Sequence, residues 1–335
     1  MDGPRRGGGQ GSTFPVISIT EPNREGIVKI LRRPKNPQAR KRFYREATAY
    51  ETLNHLGLPK LLDHNAETWK DRDTPMFMVL ERIHGPTFNE RVRDSGPFSV
   101  SEAVVFAGAL SDILAVCHQE DIGHRDLKPS NIIMRDGDLS QPVVIDFGLS
   151  FNEQDSEVGD VTRTGEEVGN RFLRLPEHAN GGRHLVSDLS QLVGVLYYVL
   201  AGNEPKVLVD EQGHKPHQRS VEAAPLLNIS EPAQRRLRAI FDRGFDPVLL
   251  TRFQDANEFH EALVLVQTPG TSEPTFENLM SELDELVRQP SHADIAHHGE
   301  VLEGFVNFAH RTIGEFAPSK NLRYSQTEGA GVSMM

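Results

Sequence analysis

The stretch His124-Arg125-Asp126-Leu127-Lys128-Pro129-Ser130-Asn131 decides the fold. It runs into the apolar pair Ile132-Ile133, a polar turn through Asp136, Gly137 and Asp138, and then Val143-Val144-Ile145 followed by Asp146-Phe147-Gly148. The two apolar runs read as strands joined by the turn. Such a pair holds Asp126, Lys128, Asn131 and Asp146 at one edge. Two carboxylates, an amide and an ammonium together suit Mg2+, which takes oxygen ligands, and a triphosphate, which takes metal and cations.

The run resembles the catalytic loop of eukaryotic-type (Hanks-type) serine/threonine protein kinases, H-R-D-x-K-P-x-N, and Asp146-Phe147-Gly148 resembles their metal-binding D-F-G. Both motifs are intact and in the family's order. The resemblance implies an α+β, bilobal fold with a small β-rich N-lobe and a large helical C-lobe. It also implies ATP and Mg2+ as cofactors and protein substrates as partners. Asp126 would orient the substrate hydroxyl and accept its proton, Lys128 would neutralise the transferred phosphoryl group, and Asn131 and Asp146 would hold the metal.

Composition sets the outer bounds. The chain has 335 residues, 37% hydrophobic and 25% charged, with a formal net charge of -12. That acidity gives no footprint for a nucleic acid. The one cysteine, Cys117, lies in an apolar helical pattern and reads as packing. The opening Met-Asp-Gly-Pro-Arg-Arg and glycines hold no apolar signal core, and the longest apolar run, Leu192 to Ala201, is too short for a bilayer. A cytoplasmic protein that avoids membranes is expected.

Upstream of the decisive loop, residues 1–13 are Gly-rich and read as flexible, and 14–84 read as the N-lobe. Phe14 to Thr20 and Ile27 to Leu31 form a hairpin, and Asn36-Pro37 opens a helix with Phe43, Ala47, Tyr50 and Leu53 on its apolar stripe and Gly57 at its end. Lys29 matches the family's β3 lysine, which grips the nucleotide phosphates, and Glu46, beside the stripe, is a better partner for it than Glu51. Met76 to Ile83 resembles the strand that enters the family's hinge, which implies Leu80 as the gatekeeper and the backbones of Glu81 and Ile83 as the adenine contacts. Ile133, after the catalytic loop, completes the nucleotide set that the resemblance implies.

Downstream, 85–267 read as the C-lobe, 268–275 as a linker, 276–318 as a helical extension and 319–335 as a disordered tail. Ser99 with Glu102 has capping-box spacing at the head of an amphipathic helix that ends near Gln119. Asp188 starts an apolar helix closed by Gly202; in the family its aspartate braces the catalytic loop. Leu175-Pro176-Glu177 resembles A-P-E, and Arg252 matches the arginine that pairs with its glutamate. The extension's apolar stripes suit packing within the chain, with partner docking as the alternative.

The chain departs from the family in three places. The phosphate-loop pattern G-x-G-x-x-G-x-V is met by Gly9, Gly11 and Val16, but Phe14 stands at the third glycine. Little sequence precedes it, so the first strand is expected to be missing or the start truncated. Ile27 replaces the β3 alanine, and Asn170 replaces the threonine before the P+1 loop. In the acidic activation segment, Glu166 could supply the fixed charge that a phosphate usually brings to Arg125, with Ser156, Thr162 and Thr164 as alternative phosphosites. Two other functions fit the same fold: a pseudokinase-type binding or scaffold module, and a small-molecule kinase of the aminoglycoside or choline type.

Overall fold

The computed structural model describes residues 6–7, 11–21, 24–147, 151–152, 172–179, 182, 184–221, 223–268, 324–326 and 332–334. The chain divides into two compact units, Met1–Gln267 and Thr268–Met335. The first carries both lobes. Of the second, only Thr268, β12 (Tyr324–Gln326) and β13 (Val332–Met334) are described, and the two strands pair antiparallel. That pairing falls in the tail expected to lack structure; each strand places a small polar serine between larger residues, a two-residue alternation that a strand can use. The extension at 276–318 lies outside the described residues.

The N-lobe is one antiparallel sheet in the order β1-β2-β3-β5-β4, made of β1 (Arg6–Gly7), β2 (Gly11–Ile17), β3 (Glu25–Leu31), β4 (Leu61–His64) and β5 (Phe77–Glu81). The expected loss of the first strand is therefore corrected. β1 pairs with β2, but over two residues only, in keeping with the Gly-rich sequence around it. β2 also begins at Gly11, inside the stretch expected to be flexible.

Register fixes what faces the cleft. Thr13 pairs with Lys29, Pro15 with Ile27 and Val16 with Gly26. Side chains alternate along a strand, so Val16 points to the face opposite Lys29. A Cβ built on Gly26 would lie 3.4 Å from Val16 Cγ2 and 2.9 Å from Val79 Cγ1, which places Val16 on that outer face. Phe14 lies on the same outer face, opposite Val28, so its ring does not crowd the Lys29 side.

α1 (Pro37–Thr52) crosses behind the sheet. Asn36 caps it, its side chain accepting from the backbone N–H of Ala39 at 3.0 Å, and Pro37 fills the first turn, where a missing N–H costs nothing. The helix ends at Thr52 rather than Gly57. Gly57 serves a different purpose: a Cβ there would fall 2.3 Å from Ile113 Cδ1, so only glycine lets this turn approach the helix beneath. One turn into α1, the fully buried Arg40 guanidinium donates to the carbonyls of Trp69, Pro34, Thr74 and Thr68 at 2.7–3.0 Å. Four carbonyl dipoles therefore surround its charge. Those bonds fasten α1 to the chain between β4 and β5.

The C-lobe is built around two buried helices. α2 (Phe88–Ser95) leads to α3 (Val100–Gln119), which has the predicted capping box of Ser99 and Glu102. Ala103, Phe106, Ala107, Leu110, Ile113, Leu114 and Cys117 are buried along α3, as its spacing predicts. α3 is long and apolar enough to cross a membrane by length and composition alone, but this face is already packed in the lobe's core. β6 (Ile122–Gly123), β7 (Ile132–Met134), β8 (Pro142–Val144) and β9 (Phe151–Asn152) form two short pairs, β6–β9 and β7–β8. β10 (Leu173–Arg174) precedes α4 (Pro176–Ala179) and pairs in parallel with β11 (Lys206–Val207) beyond α5 (Val186–Ala201). α5 is buried from Ser187 to Ala201 and stops at Gly202, whose φ of +74° suits a residue without a Cβ. α6 (Glu231–Gly244) and α7 (Ala256–Gln267) close the lobe against α3 and α5.

Arg252 and Glu177 join the two ends of this lobe. Arg252 Nη1 lies 2.7 Å from Glu177 Oε1, which also accepts from Ser187 Oγ at 2.7 Å. Burial works to raise the Glu177 carboxyl, but the bonds from Arg252 and Ser187 outweigh it and hold the pKa below the ordinary value. A lowered acid contributes stability above its unfolded pKa and loses it as pH falls through the folded one. Arg252→Ala strands a buried carboxylate and is expected to cost about 3–5 kcal/mol in urea unfolding. Glu177→Gln should flatten the acid limb of the stability–pH curve. A fully stable Arg252→Ala protein would refute this account of the pair.

Candidate active site

The catalytic loop hangs from α5. Asp188, fully buried, accepts the backbone N–H of His124 at 2.7 Å and of Arg125 at 2.7 Å on its two oxygens. Gln191, one turn on, accepts from Leu127 N at 2.9 Å and donates to Arg125 O at 3.0 Å. These bonds hold Arg125 at φ +65°, a left-handed conformation that a side chain with a Cβ resists. Burial acts to raise Asp188, yet His118, with Nε2 at 3.1 Å, and the Arg125 N–H keep it ionised below the usual carboxylate range. The brace expected at Asp188 is thus in place, though α5 starts two residues earlier, at Val186.

On this loop Lys128 Nζ lies 2.6 Å from Asp126 Oδ2. Asn131 Nδ2 donates to the Asp126 carbonyl at 2.9 Å and to Asp126 Oδ2 at 3.3 Å. With its nitrogen so engaged, Asn131 presents Oδ1 as an oxygen that could hold a cation. Ile145 N donates to Asn131 O at 2.9 Å, which ties the loop to the residue before Asp146. The two-strand reading around the loop therefore holds in β7 and β8, paired from Ile132↔Val144 to Met134↔Pro142.

Asp146 and the N-lobe meet at Lys29. Lys29 Nζ donates to Glu46 Oε1 at 2.5 Å and to Asp146 Oδ1 at 2.8 Å. Burial opposes the Lys29 charge, and the two carboxylates more than offset it, so its pKa is raised. Asp146 is lowered chiefly by Lys29, against burial. Glu46 is the most buried of the three; burial pushes it up to about 7 against the pull of Lys29, and its Oε2 has no hydrogen-bond partner among the described residues. The other candidate on α1, Glu51, is mostly exposed and sits near His64.

The remaining nucleotide candidates divide. Gly11 lies against Lys29: a Cβ there would stand 2.9 Å from Lys29 Cγ, so Gly11 makes room for the lysine stem. Gly11→Ala should displace that stem at a cost of about 1–3 kcal/mol in stability, read by urea unfolding. Leu80 pairs with Ile27 on the Lys29 face, and their side chains narrow it. The Glu81 side chain turns away to Arg135 at 2.8 Å and Lys60 N at 3.2 Å, and its backbone N–H donates to Lys60 O at 2.8 Å, which leaves the carbonyl as its contribution. Ile83 follows β5 half-buried, and Ile133 is the half-buried residue between buried Ile132 and Met134. Val16 is not brought to this group, because β2 places it on the other face. Gly9 lies outside the described residues, as do Gly148, Ser156, Thr162, Thr164, Glu166 and Asn170.

Three contributors escaped the sequence reading. Gln191 stands three residues after Asp188 on α5, and Tyr50 four after Glu46 on α1, where its hydroxyl accepts from Asp146 N at 2.9 Å. Helical spacing from a known site residue could have raised both. His118 carried no such signal, because its partner lies on another helix.

A β-rich lobe over a helical one, with an ammonium clamped between two carboxylates across the cleft, defines a kinase-type nucleotide fold. The protein kinase domain model matches residues 7–239, more than half of the 335, and the chain belongs to that family. It is 31% identical over 274 residues to serine/threonine-protein kinase PknA of Nostoc sp., covering 77% of this chain and 45% of that one. To PrkC of Bacillus subtilis it is 30% identical over 202 residues, 59% of this chain and 30% of the relative. To PknB of Mycobacterium leprae it is 31% identical over 186 residues, 55% and 29%. The chain thus spans less than half the length of these relatives.

Proposed function

We propose that this chain transfers the γ-phosphoryl group of Mg-ATP to a serine or threonine hydroxyl of protein substrates. The observation that carries the reading is the convergence of Lys29, Glu46 and Asp146 above Asp126, Lys128 and Asn131. The relatives named as serine/threonine-protein kinases support the same activity and substrate class. Asp126 takes the proton as the substrate oxygen attacks the γ-phosphorus and the bond to the bridging oxygen of ADP breaks. Lys128, beside it, offsets the charge on the moving group, and Lys29 orients the phosphates.

An oxygen set of Asn131 Oδ1 and the Asp146 carboxylate fits Mg2+, which prefers hard oxygen ligands. When bound, the ion offsets charge on the β- and γ-phosphate oxygens. Adenine would meet the backbone carbonyl of Glu81 and the backbone of Ile83, between the Ile27–Leu80 wall above and Ile133 below. The setting is the cytoplasm, where ATP is available. Purified protein given radiolabelled ATP, Mg2+ and generic protein substrates should label serine and threonine, while Asp126→Ala should not. A wild-type protein that binds nucleotide with Mg2+ but labels neither itself nor any substrate would favour the second reading, a nucleotide-binding scaffold. The outward-facing Val16 and bulky Ile27 are the features on that side.

A further inference from the structure

α1 grips the Lys29–Asp146 pair twice. Glu46 holds Lys29, and four residues on, on the same face of the helix, Tyr50 reaches the other partner. The Tyr50 hydroxyl oxygen accepts the backbone N–H of Asp146 at 2.9 Å. Tyr50 is buried, and its ring meets Phe147 edge-on at 5.2 Å, while the Phe147 ring lies 4.8 Å from that of His124. Packing alone explains an aromatic ring at position 50 but not its hydroxyl. A buried hydroxyl is unfavourable unless hydrogen-bonded, and phenylalanine would fill the same space without it.

The backbone it holds is the one that needs holding. Asp146 sits at φ +70°, a left-handed conformation in which a residue with a Cβ is strained. Turning that peptide re-aims the carboxylate that lies 2.8 Å from Lys29. We propose that Tyr50 is a positioning residue: its hydroxyl fixes the Asp146 peptide and so keeps the carboxylate aimed for Mg2+ in the nucleotide complex. This rests on the kinase reading above. α1 then sets both halves of the phosphate site, the cation through Glu46 and the metal-binding acid through Tyr50.

The test is Tyr50→Phe in the full chain. The half-saturating Mg2+ concentration for Mg-dependent nucleotide binding and for transfer should rise about 3- to 10-fold, the scale of one net hydrogen bond. Nucleotide binding in EDTA and the KM for protein substrate should stay at wild-type values. A role in packing alone would lower the unfolding temperature and leave the Mg2+ dependence unmoved, which would overturn the proposal. Amide hydrogen exchange on wild-type protein gives a readout that needs neither transfer nor the variant. The Asp146 amide should be protected; exchange at the rate of an open loop would also overturn it, even if Tyr50→Phe fails to fold. If wild-type protein transfers no phosphoryl group, the kinase reading falls, while the exchange and metal-dependent binding results still judge Tyr50.

Discussion

Asp126→Ala should reduce phosphoryl transfer about 10²–10⁴-fold, the usual range for removing a positioned general base. The variant should still fold. Asp126 contributes a side chain to Lys128 and Asn131 at the cleft, whereas the loop's backbone is held by Asp188 and Gln191. Neither brace touches the Asp126 carboxylate. The expected pattern is a loss in kcat with nucleotide affinity unchanged and an unfolding midpoint close to wild type. Substantial transfer by the pure variant would remove Asp126 from its assigned role.

Lys29→Met should cost about 10²–10³-fold in transfer, the scale for losing one preorganised charge at a reacting group. Methionine keeps the apolar stem that fits against Gly11. The stability outcome follows from Glu46. With burial already pushing it up to about 7, Glu46 without Lys29 takes up a proton rather than remain a buried, unpaired anion. The fold should therefore survive, and nucleotide should bind more weakly through the lost phosphate contact. A variant with wild-type kcat and nucleotide affinity would show that the Lys29–Glu46 pair is structural only.

Much of this architecture was legible in the chain because local chemistry dictated it. Ser99 and Glu102 announce α3, Asn36-Pro37 announces α1, and Gly202 closes α5. The candidate set on the loop was readable for the same reason: Asp126, Lys128 and Asn131 lie within six consecutive residues, so no long-range folding has to be foreseen. What stayed hidden depends on register and on partners far apart in sequence. A one-residue choice in β2 decides whether Val16 or Pro15 shares a face with Lys29, and composition cannot make that choice. The Arg40 cage draws its acceptors from backbone carbonyls, which leave no residue signature.

That cage bears on the design of inhibitors. A compound that gains room at the back of the cleft by levering α1 outward must strip a fully buried guanidinium of the carbonyls of Pro34, Thr68, Trp69 and Thr74. Much of its binding energy would go into that displacement. The wall formed by Ile27 and Leu80 asks for no such rearrangement. A compound shaped to the Ile27 side chain, which pairs with Leu80 on the Lys29 face, can therefore draw selectivity from that wall.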